Sequence, residues 1–147
     1  MRSNVKKFIE NHIDLINDNN IERLFELAAE DLTTPDLSQL SEILEDIEID
    51  TEAVRWEVFD ALVVEYIADK LHNKHDISNS WARVDYMLDD ISNLGFGWNE
   101  AKEHVINNAN KYHTTIRELE PEYGWYGSGD YAFEWFNKDA FRKEYLD

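Results

Sequence analysis

At 147 residues, with 43% hydrophobic and 13% aromatic content, the chain is long enough to bury a core and too aromatic for an acidic disordered segment. Its formal charge of −18 disfavours contact with nucleic acid and anionic membranes, and exceeds the magnitude of about 2–8 that suffices to keep a small domain soluble. The absence of cysteine excludes disulfides, thiolate metal sites and cysteine nucleophiles.

The hydrophobic spacing predicts helix along most of the chain. Val5, Phe8, Ile9, His12, Ile13 and Ile16 follow the i, i+3, i+4 pattern of one amphipathic helix, with Ser3 or Asn4 as its N-cap and His12 on its apolar stripe. Asp18-Asn19-Asn20 breaks it, and Ile21, Leu24, Phe25 and Ala28 begin a second helix. Thr34-Pro35-Asp36 combines a capping hydroxyl, a proline at the first helical position and an early acid, and so predicts a third start. Leu37, Leu40, Leu44 and Ile47 form the buried stripe expected of that helix.

From Thr51 to His72 the chain is at its most apolar, with Val54, Val58, Phe59, Ala61, Leu62, Val63, Tyr66, Ile67 and Leu71 covering more than one helical face. Asn73-Lys74-His75-Asp76 is expected to close this helix. Trp81, Val84, Met87 or Leu88, Ile91 and Leu94 define a fifth helix ended by Gly95, and Trp98, Ala101, Val105, Ala109 and Tyr112 a sixth. The last 27 residues hold nine aromatics, among them Trp125, Tyr126, Tyr131 and Trp135, together with Gly124, Gly127 and Gly129. Alternation at Tyr131, Phe133 and Trp135 fits a strand, and a short β-hairpin near 122–136 is weighed against a helix there. The expected fold is mainly α, a bundle of about six to seven helices forming a single domain over 1–147. Within it lie an acidic N-terminal module (1–50), a central helical core (51–121) and an aromatic C-terminal segment (122–147). No apolar run approaches the roughly 18–20 residues needed to span a bilayer, and the N-terminus has no signal-peptide core, so a soluble cytoplasmic protein with no membrane partner is expected.

The charge is concentrated. Residues 31–60 hold ten acids against one base, Arg55, and account for −9 of the −18, whereas residues 91–120 carry only −1. Acid enrichment from a saline habitat should be more even, so the block favours a surface that docks on something basic. Asp46, Glu48, Asp50 and Glu57 fall at positions 1, 3, 5 and 12 of a calcium-loop template, but Thr51 stands where that template needs glycine and Val54 where it needs an oxygen ligand. No metal or other cofactor is therefore expected. His72 with His75, and Glu100 with His104, are incomplete ligand sets, and Gly127-Ser128-Gly129 lacks the lysine of a phosphate cradle. No nucleophile signature is recognisable, and no catalytic residue is assigned. The aromatic tail lacks the basic groove of a single-strand binder, so it reads as core or as a protein contact.

The series Lys7-Phe8-Ile9-Glu10-Asn11, Leu15-Ile16-Asn17, Asn20, Leu24, Leu40, Ile43-Leu44 and Ile49-Asp50 resembles a small helical module of phage and mobile-element proteins over the first 50 residues. The proline expected soon after Asp50 is missing. The resemblance implies a phage or plasmid origin, a setting in which small acidic proteins block restriction or CRISPR nucleases, some by imitating DNA; it assigns no functional residue. The expected function is a non-enzymatic inhibitor. Asp36, Glu42, Glu45, Asp46, Glu48, Asp50, Glu52 and Glu57 would dock on a basic nucleic-acid-binding protein of the host cell, without direct contact to nucleic acid. The alternative is a general helical interaction module, homodimeric or otherwise, docking through Trp125, Tyr126, Tyr131 and Trp135.

Overall fold

A computed structural model describes residues 1–72, 87–108, 111–112 and 114–115. The chain is mainly helical, and among the described residues there is no strand. Six helices have defined bounds: α1 (Ser3–Asn11), α2 (Ile13–Asn17), α3 (Ile21–Asp31), α4 (Thr34–Asp46), α5 (Glu52–His72) and α6 (Trp98–Asn107). Residues 87–90 are helical as well. The hairpin-or-helix alternative at 122–136, the aromatic residues Trp125, Tyr126, Tyr131 and Trp135, and the predicted turn at 73–76 lie outside the described residues. Contacts divide the chain into two compact units, one formed by Met1–Asp60 with Ser92–Gly97, the other by Ala61–Ile91 and Trp98–Asp147.

In the N-terminal unit, Val5 and Phe8 of α1, Leu24, Phe25 and Ala28 of α3, and Leu37, Leu40 and Leu44 of α4 are buried, as their spacing predicts. Each large side chain so removed from water contributes about 1.5–3 kcal/mol before entropy is counted. The single first helix expected from Val5 to Ile16 is in fact two. The backbone leaves the helical region at His12 (φ −126°, ψ 24°), which is half-buried instead of sitting in the core. Its ring stacks obliquely on Phe8, 4.3 Å between centroids, and Nδ1 lies 2.8 Å from the Phe8 carbonyl oxygen. The same carbonyl also accepts the His12 amide at 3.1 Å, and Ile13 is left 45% exposed.

Two further boundaries differ from the sequence expectation. The N-cap of α4 is Thr33, one residue before the one expected. The Thr33 hydroxyl accepts from the Asp36 amide, and the Asp36 carboxylate accepts from the Thr33 amide, a reciprocal capping box with Pro35 inside the first turn. At the other end α4 stops at Asp46, so Ile47 is 58% exposed and does not extend the buried stripe. Glu48 adopts a left-handed conformation (φ 67°), its amide donates to Glu45 O at 2.9 Å, and the Ile49 amide donates to Leu44 O at 2.9 Å. This is a Schellman turn, which redirects the chain towards α5.

Val58 and Phe59 of α5 belong to the core of the N-terminal unit; Val63, Ile67 and Ala68 belong to that of the second unit. Ala61 is exposed, while Val54, Leu62 and Tyr66 are half-buried, so α5 is less uniformly covered than its apolar sequence suggests. The second unit also buries Met87, Leu88, Ala101, Val105, Ile106 and Tyr112, and joins Tyr66 Oη to Asp90 Oδ2 at 3.1 Å. The helix containing Met87 does not reach Gly95: helical structure ends at Asp90, and Leu94 (φ 54°) and Gly95 (φ 87°) form a left-handed pair four residues later. Among the described residues no helix is long and apolar enough to cross a membrane.

Candidate docking face on the N-terminal unit

The acids of the 31–60 block are presented by the second half of α4, the 47–51 turn and the start of α5. Glu42, Glu45 and Asp46 are spaced i, i+3, i+4, which puts neighbouring side chains about 5–6 Å apart on one helical face. All three are exposed. The turn adds Glu48 and Asp50, also exposed, and α5 adds Glu52 and Glu57. Five residues along a helix correspond to a rotation of about 140° between directions, so Glu52 and Glu57 point to different sides of α5.

Local bonds hold this display in place. Thr51 is fully buried, its carbonyl oxygen accepts from the Arg55 amide at 2.9 Å, and its hydroxyl donates to Glu45 Oε1 at 3.0 Å. Asp50 Oδ1 accepts from the Glu52 amide at 3.1 Å. The side chains of Glu42, Asp46, Glu48, Glu52 and Glu57 have neither an ion pair nor a hydrogen bond among the described residues, unlike Asp36, which pairs with Arg2, and Glu26, which pairs with Arg23.

Asp36 is the exception among the eight acids expected on the face. It is 1% exposed, bonded to Arg2 Nε, and closes the capping box. The hydrogen bond from Arg2 holds its carboxyl below the usual carboxylate range, against the opposing effect of burial, with the Thr33 hydroxyl and amide adding to the lowering. Asp36 is thus a structural acid that starts α4, and a buried carboxylate already engaged by an arginine has nothing to offer a partner.

Asp50 and Glu52 stand at the α5 N-terminus, where carboxylates are favoured, but Glu45 and Asp46 run against helix electrostatics. Carboxylates are favoured at helix N-termini and disfavoured at C-termini by about 0.3–1 kcal/mol each. The end of α4 nevertheless carries Glu45 and Asp46, and no base stands in its last turn. Glu48 adds a further cost, because a residue with a Cβ in the left-handed region loses about 1–2 kcal/mol relative to the right-handed one.

Beside the turn lies a cleft of about 500 Å³ lined by Asn19, Asn20, Ile21, Glu22, Glu48, Ile49, Asp50 and Val54. Its other wall is a second Schellman turn, formed where α2 ends. Asn19 is left-handed (φ 56°), its amide donates to Ile16 O at 3.1 Å, and the Asn20 amide donates to Leu15 O at 2.8 Å. Asn19, Asn20 and Glu22 were not expected near the acidic block. The sequence signal for them is the Asp18-Asn19-Asn20 break itself, since asparagine tolerates the left-handed conformation, but nothing in it pairs one turn with the other. Among the described residues no group of three or more histidine or carboxylate side chains converges as a metal site. The calcium-loop template meets a further obstacle, because its second half is occupied by the buried Thr51 and the first turn of α5. No protein-family model, curated protein or solved structure matches the chain.

Proposed function

We infer that this protein is a non-enzymatic inhibitor that docks its acidic N-terminal face on a basic, nucleic-acid-binding protein. A restriction or CRISPR nuclease of a bacterial host fits best. The observation that carries the reading is the set of exposed carboxylates at Glu42, Asp46, Glu48 and Glu52, unpaired among the described residues and carried on an ordered helix–turn–helix frame. Glu42, Glu45 and Asp46 follow one another at about 5–6 Å along α4, a row of negative charge of the kind a nucleic-acid strand presents, which supports competition for a Lys/Arg channel. The phage-like pattern of residues 1–50 supports the choice of partner class. Attraction of this kind accelerates association and weakens steeply with salt.

The test is a Glu42→Lys, Asp46→Lys, Glu48→Lys, Glu52→Lys variant that keeps Glu45 for Thr51 and Asp36 for Arg2. It is expected to fold, since Asp46→Lys places a favourable charge at the α4 C-terminus. It is also expected to lose the ability to displace DNA from the nuclease that the native chain inhibits. Inhibition undiminished in the folded variant would remove the acidic face from the account.

A further inference from the structure

We propose that residues 92–97 act as a clasp that sets the angle between α4 and the start of α5, and thereby the spacing of the carboxylates the two helices carry. These residues pack within the N-terminal unit although the chain on both sides of them belongs to the second unit. On α4, the Thr34 hydroxyl donates to Asn93 Oδ1 at 2.8 Å. Gly95 presses on the same helix so closely that a Cβ there would stand 3.0 Å from Ser38 N and 3.2 Å from the Leu37 carbonyl carbon. On α5, the Phe96 ring stacks on Trp56 with centroids 3.6 Å apart and planes within 3°. Arg55, the one base of the acidic block, places its guanidinium 4.2 Å from the Phe96 centroid and donates from Nη1 to Leu94 O at 3.2 Å.

Bonds within the segment also shape the clasp. Asn93 Nδ2 donates to Phe96 O at 2.6 Å, the Phe96 amide to Asn93 O at 2.9 Å, and the Leu94 amide to Ser92 Oγ at 3.1 Å. Leu94 and Phe96 are buried, at 0% and 6% exposure. The 47–51 turn, reinforced by the Thr51–Glu45 bond, joins α4 to α5 at the C-terminal end of α4. The clasp grips α4 at Thr34–Ser38, roughly 13 Å along the helix from that joint, and α5 at Arg55–Trp56. A second attachment at that distance holds the angle more firmly. Aromatic stacking and a cation over a ring face each favour one geometry, which makes the second attachment a rigid one.

The consequence for docking rests on the function inferred above, whereas the angular role does not, and the experiment reads the latter without any partner. The native chain has no cysteine, so spin labels at Glu42→Cys and Glu57→Cys report one α4–α5 distance by pulsed electron resonance. With the clasp intact, a single narrow distance is expected. Phe96→Ala, which leaves every charge in place, is expected to lose that narrow maximum while helicity by circular dichroism is retained. A distance distribution superimposable on that of the intact clasp, in a folded Phe96→Ala chain, overturns the proposal. If Phe96→Ala unfolds the chain, Thr34→Val, which removes only the bond to Asn93, decides instead: broadening supports the clasp and an unchanged distribution overturns it.

Discussion

Removing the Asp36 carboxylate is expected to destabilise the N-terminal unit far more than removing any other acid of the block. Asp36→Ala deletes half of the capping box and the bond to Arg2. Losing the bond from the Thr33 amide costs about 0.5–1.5 kcal/mol, and a hydrogen bond to a charged group contributes about 1.5–3 kcal/mol. The Arg2 side chain is 52% exposed, so solvent screens that second contribution and roughly 2 kcal/mol in total is expected. Asp36→Asn keeps an acceptor for Thr33 and loses the charge, so about 1 kcal/mol is expected. Urea titration measures both. The lowered carboxyl pKa adds a pH signature: stability from the ionised group is complete above the unfolded-state value of about 3.9 and is lost as pH falls through the folded value. Repulsion among the many other carboxylates also changes over that range, but it is common to the native protein and Asp36→Asn, and cancels in their difference. That difference should hold constant from neutral pH down to about pH 5 and narrow below about pH 4. A cost below about 0.5 kcal/mol for Asp36→Ala, or a difference that widens in acid, refutes the assignment of Asp36 as a structural, ionised N-terminal acid.

Glu48→Gly should raise stability by about 0.5–1 kcal/mol in the same titration, because glycine holds the left-handed position at a Schellman turn without strain; destabilisation would contradict the φ of 67° there. Ile47→Ser should change stability by less than about 0.5 kcal/mol, while Leu44→Ala should cost about 2–5 kcal/mol, since one side chain is 58% and the other 1% exposed. Equal costs would return Ile47 to the core stripe. Gly95→Ala should lower the melting temperature by an amount corresponding to roughly 2 kcal/mol, the sum of a left-handed alanine and a Cβ 3.0 Å from Ser38 N; an unchanged melt would mean the contact yields freely.

The helices were legible in the sequence wherever burial followed a 3.6-residue period. Leu24, Phe25, Ala28, Leu37, Leu40 and Leu44 are all buried where their spacing places them, and Val105 and Tyr112 are as well. Periodicity continues across breaks in the backbone, and so it reads through them. A stripe that looks continuous is interrupted at His12, where the backbone leaves the helical region, and Ile47 is ejected because the backbone turns left-handed at Glu48. Of the acidic site, the exposure of seven carboxylates was readable from their type alone. The burial of Asp36 was not, because its partner Arg2 lies 34 residues away, and neither was the use of Arg55 to hold Phe96, 41 positions along the chain. Contacts at such separations leave no local pattern in a single sequence.

On the function inferred above, the acidic face competes with nucleic acid for a basic channel. Its most direct test is a displacement titration at low and high salt, with labelled duplex DNA bound to purified restriction and CRISPR nucleases and challenged by the native chain and by the Glu42→Lys, Asp46→Lys, Glu48→Lys, Glu52→Lys variant. The native chain is expected to displace DNA from at least one of these nucleases, added salt to weaken the displacement, and the folded lysine variant to fail. Displacement by the variant equal to that by the native chain, or DNA retained by every nuclease at saturating native chain, would contradict it.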